Sequence, residues 1–454
     1  MRESTVHVVS LGCPKNLVDS EVMAALLVQA GCRIVSTPEE AEILLLNTCA
    51  FILPAREESI DEIFRLAELK KEGKCRYLIV AGCLSQRYGA ELAAEIPEVD
   101  LFLGISEVPN IADHLRKLRE GEPGVTADRS VVTPPLFLMD AGHPRLLSAP
   151  TFSAYLKIAD GCSNRCTYCS IPKIRGKGRS RPVDDLLREA EDLAERGVRE
   201  LILIAQDTTA YGRDLPGKPT LALLLRKLAE LDDLAWIRIL YTYPTGLTDE
   251  LFEVIAAHDR ICSYLDVPIQ HIDDDILKAM KRQGDGPLIL RKLERARATL
   301  PDLALRTSLI VGFPGETTAK FNRLLDFVQE TRFDHLGVFP FSPEEGTPAE
   351  KLPRQVSDRT KKARRNLLME EQAVISHEIN QTLIDSRQEV LIEGLSQTLD
   401  YPLIGRCRRQ APDIDGITYV KSGDQPLPPG TLVPCRIVAA DDYDLFAEPI
   451  QTLD

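Results

Sequence analysis

Residues 160–182 read Asp-Gly-Cys-Ser-Asn-Arg-Cys-Thr-Tyr-Cys-Ser-Ile-Pro-Lys-Ile-Arg-Gly-Lys-Gly-Arg-Ser-Arg-Pro. Cys162, Cys166 and Cys169 stand in a C-x3-C-x2-C pattern, behind an apolar run from Tyr155 to Ala159 that predicts a strand. Three thiolates on one short loop can hold one face of a metal centre. A structural zinc wants a closed tetrahedron of four ligands, and no fourth Cys or His lies in this stretch. A four-iron, four-sulfur (4Fe-4S) cluster held by three cysteines keeps one iron open for a small-molecule ligand. A zinc knuckle or a chance grouping is the bland alternative. The spacing, the aromatic Tyr168 before the third cysteine and the preceding strand together favour the cluster.

Around this loop lies a chain of 454 residues, enough for about two to four domains. Hydrophobic content of 44% and charged content of 27% are those of a globular protein. The formal net charge of −14 argues against nucleic acid as the main partner, because phosphate binding wants a basic surface. It suits a basic protein partner. The N-terminal residues carry no apolar signal-peptide region, and no apolar run approaches the ~18 residues of a membrane span. Eleven cysteines without an export signal then point to the cytoplasm, reduced thiols and metal ligation, not to disulfides.

Upstream, residues 1–120 contain three strand-like runs that each end in a cysteine. Val6–Gly12 leads to Cys13, Ile43–Thr48 to Cys49, and Tyr77–Gly82 to Cys83. Helical periodicity over roughly 16–30, 55–71 and 84–95 separates them. This alternation predicts an α/β, doubly wound parallel sheet, in which ligands gather beyond the carboxyl ends of the strands. All three cysteines sit at such ends, so a second three-cysteine site is expected. Asn16 reads as part of a capped helix start. Asn47, beside Cys49, either hydrogen-bonds sulfur or is a turn residue.

Residues 121–150 hold five prolines and read as a linker. From 151 to 375 the alternation resumes, with strands expected at 155–159, 201–205, 236–241, 263–267, 306–311 and 335–339. Six strand–helix units suggest a partial (β/α)6 barrel whose active residues stand at the carboxyl ends of its strands. Those ends carry Gln206 and Asp207, Tyr241 and Tyr243, Asp266, Gln270 and His271. Arg306 begins the fifth strand and can pair with a carboxylate, although a surface ion pair explains it equally. Gly312 and Gly315 beyond that strand permit close approach of a flat adenine, although a turn explains them too. Arg175, Lys177, Arg179 and Arg181 form a basic run whose default reading is solvated charge, although next to an active site it could steer an acidic side chain.

The last segment, 376–454, takes in the end of a long connecting helix expected over 356–386. Five short strand-like runs at 389–395, 402–406, 417–420, 431–438 and 443–448 read as a small antiparallel β-barrel. Such barrels often bind nucleic acid, yet residues 380–454 hold twelve Asp/Glu against six Lys/Arg. A basic protein surface is the better electrostatic match.

The cluster loop with Tyr168 carries the signature of radical S-adenosylmethionine (SAM) enzymes. Together with Ser10–Glu21, Asn47–Ile52, Glu57–Asp61, Asp266–His271, Ile310–Glu316, Ala411–Gly416 and Tyr443–Leu445, it makes the chain resemble the radical SAM methylthiotransferases. Within them it is most similar to the RimO family, which acts on an aspartate of small-subunit ribosomal protein 12. The tRNA-modifying branch typically carries Gln-Met-Asn where this chain has Pro14-Lys15-Asn16. Gly405-Arg-Cys-Arg-Arg-Gln departs from the pattern by being more basic.

The resemblance implies three parts: an auxiliary-cluster domain, a radical SAM core and a C-terminal TRAM (OB-like) barrel. It implies that Cys162, Cys166 and Cys169 hold the SAM-binding 4Fe-4S cluster. Cys13, Cys49 and Cys83 would hold an auxiliary 4Fe-4S cluster that presents sulfur. SAM would serve as radical source and methyl donor, with Tyr168, Gln206, Arg306 and Gly312 as its contacts. Implied partners are ribosomal protein 12 and an electron donor such as flavodoxin or ferredoxin, with no membrane and nucleic acid not the main partner. A tRNA adenosine methylthiotransferase is the first alternative; a two-cluster electron carrier without SAM chemistry is the second.

Overall fold

The structure, a computed structural model, describes residues 4–122, 127–148, 150–422 and 426–450. Six parallel strands build the first domain: β1 (Ser4–Ser10), β2 (Cys32–Ile34), β3 (Ile43–Thr48), β4 (Tyr77–Gly82), β5 (Leu101–Leu103) and β6 (Ser130–Val131). Their order is β2-β1-β3-β4-β5-β6. Helices α1 (Pro14–Gln29), α2 (Leu53–Glu72), α3 (Cys83–Glu95) and α4 (Ile111–Glu120) connect them. Strand β3 is buried at every residue, as expected of a parallel strand covered on both faces. β5 is too short, at three residues, to carry a period-two signal. β6 lies inside the stretch expected to be linker, and pairs in parallel with β5. Sheet pairing therefore runs past residue 120. Of the five linker prolines, Pro123 falls outside the described residues.

The central region holds β7 (Ser153–Lys157), β8 (Ala159–Asp160), β9 (Arg179–Ser180), β10 (Glu200–Ile204), β11 (Trp236–Ile239), β12 (Tyr264–Asp266), β13 (Ala304–Val311) and β14 (His335–Pro340). Two three-stranded parallel sheets, β11-β10-β7 and β12-β13-β14, meet through an isolated Ile237–Ile261 bridge. The result is an open, six-stranded partial barrel. The short antiparallel pair β8–β9 pinches the two ends of the cysteine loop together. Inward-facing Ile202, Ile204, Trp236 and Tyr264 share one apolar core with Val18, Val22 and Leu27 of α1, so the first domain packs against the barrel.

The long helix runs Asp358–Gln381, and the Ser357 hydroxyl caps its start. Then β15 (Arg387–Thr398), β16 (Tyr401–Cys407), β17 (Thr418–Val420), β18 (Leu432–Ala440) and β19 (Leu445–Pro449) close into a barrel ordered β15-β16-β17-β19-β18. It is not wholly antiparallel: β17 and β19 pair in parallel. The chain leaves β17 without a hairpin to its neighbour, so β19 returns in the direction of β17.

The basic departure at 405–410 faces inward. Glu200 on β10 accepts hydrogen bonds from Arg238 at 2.8 Å and from Arg406 at 2.6 Å, all fully buried. Arg406 also donates to Glu393 at 2.8 Å. Arg408 and Arg409 donate to backbone carbonyls of Ile261 and Asp302. These arginines fasten the terminal barrel to the core, which leaves the outer surface acidic. Asp441 and Asp442 are exposed there. Among the described residues no helix is long and apolar enough to cross a membrane.

Candidate metal centres

Each cysteine of the first domain stands where a strand hands over to a helix or loop. Cys13 is the N-cap of α1, Cys49 follows β3, and Cys83 opens α3 directly after β4. Two glycines make these corners. Gly12 has φ +92°, and a Cβ there would lie 2.7 Å from the Cys49 Cβ. Gly82 has φ +99°, and its Cβ would meet Asn47 Oδ1 at 2.1 Å. Only glycine reaches such a conformation without strain. Gly82→Ala is therefore expected to cost about 1–3 kcal/mol or more and to displace Cys83. A lowered thermal midpoint by circular dichroism, with less iron retained after reconstitution, checks this; a parent-like midpoint and iron content would contradict it.

The three thiols stand at the carboxyl ends of adjacent strands, with Ser10 of β1 in register with Asn47 of β3 and Thr48 of β3 with Gly82 of β4. Burial pushes Cys49 up and Cys83 up to about 12, so metal binding there must displace protons. The Cys83 thiol donates to Asn16 Oδ1 at 3.6 Å, and the Asn16 amide donates to the carbonyls of Leu11 and Thr48. Asn47 is neither a turn residue nor a sulfur partner. It lies buried in β3 and donates to the Asn16 carbonyl and the Ser20 hydroxyl. The sulfur contact expected of Asn47 belongs to Asn16.

The second set, Cys162, Cys166 and Cys169, also clusters, and burial pushes Cys169 up to about 12. Backbone hydrogen bonds fix the course of the loop. Thr167 N donates to the Met280 carbonyl, Ala349 N donates to the Thr167 carbonyl, and Cys162 N to Gly176. Tyr168 packs beside Phe313 and Phe341 and accepts from Arg282 at 3.2 Å. Gln206 donates to Asp160 at 2.8 Å, while its Oε1 is buried with no partner among the described residues. An acceptor left open beside the loop suits a ligand with amine donors, such as SAM. Among the described residues no three of His, Cys, Asp and Glu are grouped so as to hold a metal ion. Sets of three thiols are the donor chemistry of iron–sulfur clusters.

Arg306 and Gly312 do not stand free for a ligand. Arg306 pairs with Asp266 at 3.0 Å and with Asp415 of the terminal barrel at 3.3 Å. Its carboxylate partners are the chain's own, because the 411–416 loop inserts Asp415 beneath β12 and also receives the Tyr264 hydroxyl at 2.6 Å. The side of Gly312 on which a Cβ would stand is filled by Lys361 of the long helix, 2.2 Å away.

The basic run is likewise not solvated throughout, because Arg175 and Arg181 are buried. Arg181 donates to Asp185 at 2.8 Å and pairs with Glu189. Arg175 joins the two cysteine sets. It donates to Asp160 at 2.8 Å, to Asn16 Oδ1 at 2.5 Å and to Asp19 at 3.1 Å. Asp160 in turn accepts from the Gly161 amide, next to Cys162. A continuous buried path thus runs from Cys83 through Asn16, Arg175 and Asp160 to the second loop. Lys157 adds a second cation, pairing with both Asp19 and Asp160. Lys15, one position before Asn16, lies 5% exposed with its ammonium 3.1 Å from the centre of the Tyr241 ring, and burial lowers its pKa to about 8. Sequence reading passed over Lys15 and took Arg175 for surface charge. The available signal was their position, each within six residues of a site cysteine.

Three family profiles cover the chain in the order of its parts. Residues 5–104 match an uncharacterised protein family, UPF0004; residues 156–328 match the radical SAM superfamily; residues 384–450 match the TRAM domain. The ribosomal protein uS12 methylthiotransferase RimO of Syntrophus aciditrophicus is 81% identical over 454 residues, covering 100% of both chains. The RimO of Geobacter sulfurreducens is 51% identical over 445 residues, 98% of each. Among solved structures, the radical SAM methyltransferase TsrM of Kitasatospora setae superposes with a TM-score of 0.54 at 15% identity. It covers 88% of this chain and 82% of that one, a likeness of fold. With three domains in this order and such identity over its full length, the chain belongs to the RimO family of radical SAM methylthiotransferases.

Proposed function

We propose that this chain methylthiolates the β-carbon of an aspartate in ribosomal protein uS12, using SAM and iron–sulfur clusters. The observation that supports the reading is the buried junction through Arg175, which donates to Asn16, the partner of the Cys83 thiol, and to Asp160, two residues before Cys162. Cys162, Cys166 and Cys169 would hold a 4Fe-4S cluster with one open iron for SAM, and Cys13, Cys49 and Cys83 an auxiliary one. When bound, these groups supply the radical, the sulfur and the methyl group; an unactivated C–H bond gives an ordinary base no proton to take.

The chain's own part is placement and exclusion of water. Gln206 offers its open acceptor and Tyr168 its ring beside the second loop. Asp160, Arg175 and Asp19, all nearly inaccessible, keep solvent out of the space between the sets. The family identity and the acidic outer face of the terminal barrel support a basic protein as substrate. The one basic run of that barrel is turned into the core, which disfavours tRNA. An electron carrier would have no use for either the barrel core or the terminal module. An external one-electron donor of the flavodoxin or ferredoxin class and a cytoplasmic location complete the reading.

Anaerobic incubation with SAM, reductant, sulfide and purified uS12, followed by mass spectrometry, tests it. The expected result is one methylthio group on one aspartate of uS12. Unmodified uS12 beside methylthiolated tRNA would favour the nucleic-acid reading instead.

A further inference from the structure

Among the described residues Lys15 is a buried cation with no carboxylate partner. It belongs to α1, two residues after Cys13, and its ammonium reaches across to the Tyr241 ring at the end of β11. The charges that act on it are those of Cys13, Arg175, Asp266 and Asp160. No described carboxylate lies within salt-bridge distance of it. Those that could neutralise it are already taken. Asp19 is held by Lys157 and Arg175. Asp160 is held by Arg175, Lys157 and Gln206. Asp266 is held by Arg306 and the Tyr241 amide.

A desolvated ammonium that lies on an aromatic face and has no carboxylate partner is costly unless an anion joins it. Tyr241 itself is held at φ +61°, an uncommon conformation for a bulky residue, which turns its ring under the ammonium. The fold therefore keeps a cation ready beside the first cysteine set, against Tyr241.

We propose that Lys15 receives the carboxylate of the aspartate that is to be modified, and so fixes its β-carbon in the site. This rests on the functional reading above. A carboxylate could come from two sources, the substrate aspartate or the methionine end of SAM. The substrate is the assignment here, because Lys15 is carried by the helix of the first cysteine set while SAM docks at the second. Lys15 is then a substrate-binding residue that selects an acidic side chain.

The test is a binding cycle under anaerobic conditions with iron-loaded protein and fluorescently labelled uS12. The parent should bind uS12 about tenfold to a hundredfold more tightly than a uS12 variant with Asn at the modified aspartate, the range of a charge-assisted hydrogen bond. In Lys15→Met that preference should vanish, and in Lys15→Arg it should largely return. SAM affinity should stay at the parent value in all three. A preference that persists in Lys15→Met overturns the proposal, as does a loss of SAM affinity with the preference intact. Should Lys15→Met and Lys15→Gln both fail to load iron, the ammonium serves the cluster and the proposal falls. If the parent neither binds nor modifies uS12, the functional reading fails first and the proposal with it. Parent activity with an unaltered Asp preference in Lys15→Met refutes the proposal alone.

Discussion

A Glu200→Ala protein is expected to lose about 3–5 kcal/mol of stability, the usual cost of removing one partner from a buried ion pair. Glu200 is wholly buried on β10 and is the only described carboxylate paired to Arg238; it shares Arg406 with Glu393. Its removal leaves Arg238 with an uncompensated buried charge and weakens the fastening of the terminal barrel. Burial by itself would push the Glu200 carboxyl up, but Arg406 and Arg238 outweigh it and hold the group down to about 2. The sign follows from linkage. A carboxyl depressed in the folded state contributes stability that is full above its ordinary 4.5 and is lost as pH falls through about 2. Acid titration of the parent should therefore show stability draining away over that window. The share due to Glu200 should be missing in Glu200→Gln, which keeps the volume but not the charge. Denaturant unfolding at several pH values checks both variants. A Glu200→Ala midpoint equal to the parent's would mean that the barrel is held by its apolar contacts alone.

Replacing any one of Cys162, Cys166 and Cys169 with Ala is expected to abolish methylthiolation and SAM cleavage, to below detection. Three thiolates are the minimum that leaves one iron of a four-iron cluster open yet firmly held. Two cannot position that iron for SAM. The loss should be one of chemistry and not of folding. The loop is pinned by the β8–β9 pair and by Thr167, which binds Met280 and Ala349 through its backbone and Ala279 through its hydroxyl. The measurement is 5′-deoxyadenosine by chromatography beside a circular dichroism melt. Persistent cleavage in a folded variant would remove that cysteine from the site, and a collapsed melt would show that the loop needs its metal to fold.

Much of this was legible in the sequence because it was local or periodic. The C-x3-C-x2-C loop, the three cysteines at strand ends and the six strand–helix units are patterns of neighbouring residues, and the structure has all of them. The five barrel strands were read to within a few residues, because Gly and Pro punctuate them. What escaped reading depends on distant partners. Arg175 resembles any loop arginine until Asn16, Asp19 and Asp160 surround it. For Arg306 a ligand and an ion pair are equally open in sequence, and the partner Asp415, 109 residues on, comes from another domain. Gly312 looked open because nothing in its own strand shows that Lys361 fills the space. β6 is two residues of a proline-rich stretch, and only the edge of β5 makes it a strand. The parallel β17–β19 pair is a matter of path, which a run of short strands does not encode.

The central claim is that two cysteine sets, not one, carry clusters at a shared interface. Iron per chain after anaerobic reconstitution, measured for the parent and for two triple-alanine variants, tests it most directly. The account predicts about eight irons in the parent and about four in each variant, whether Cys13, Cys49 and Cys83 or Cys162, Cys166 and Cys169 are replaced. About four irons in the parent, unchanged when Cys13, Cys49 and Cys83 are removed, would contradict it.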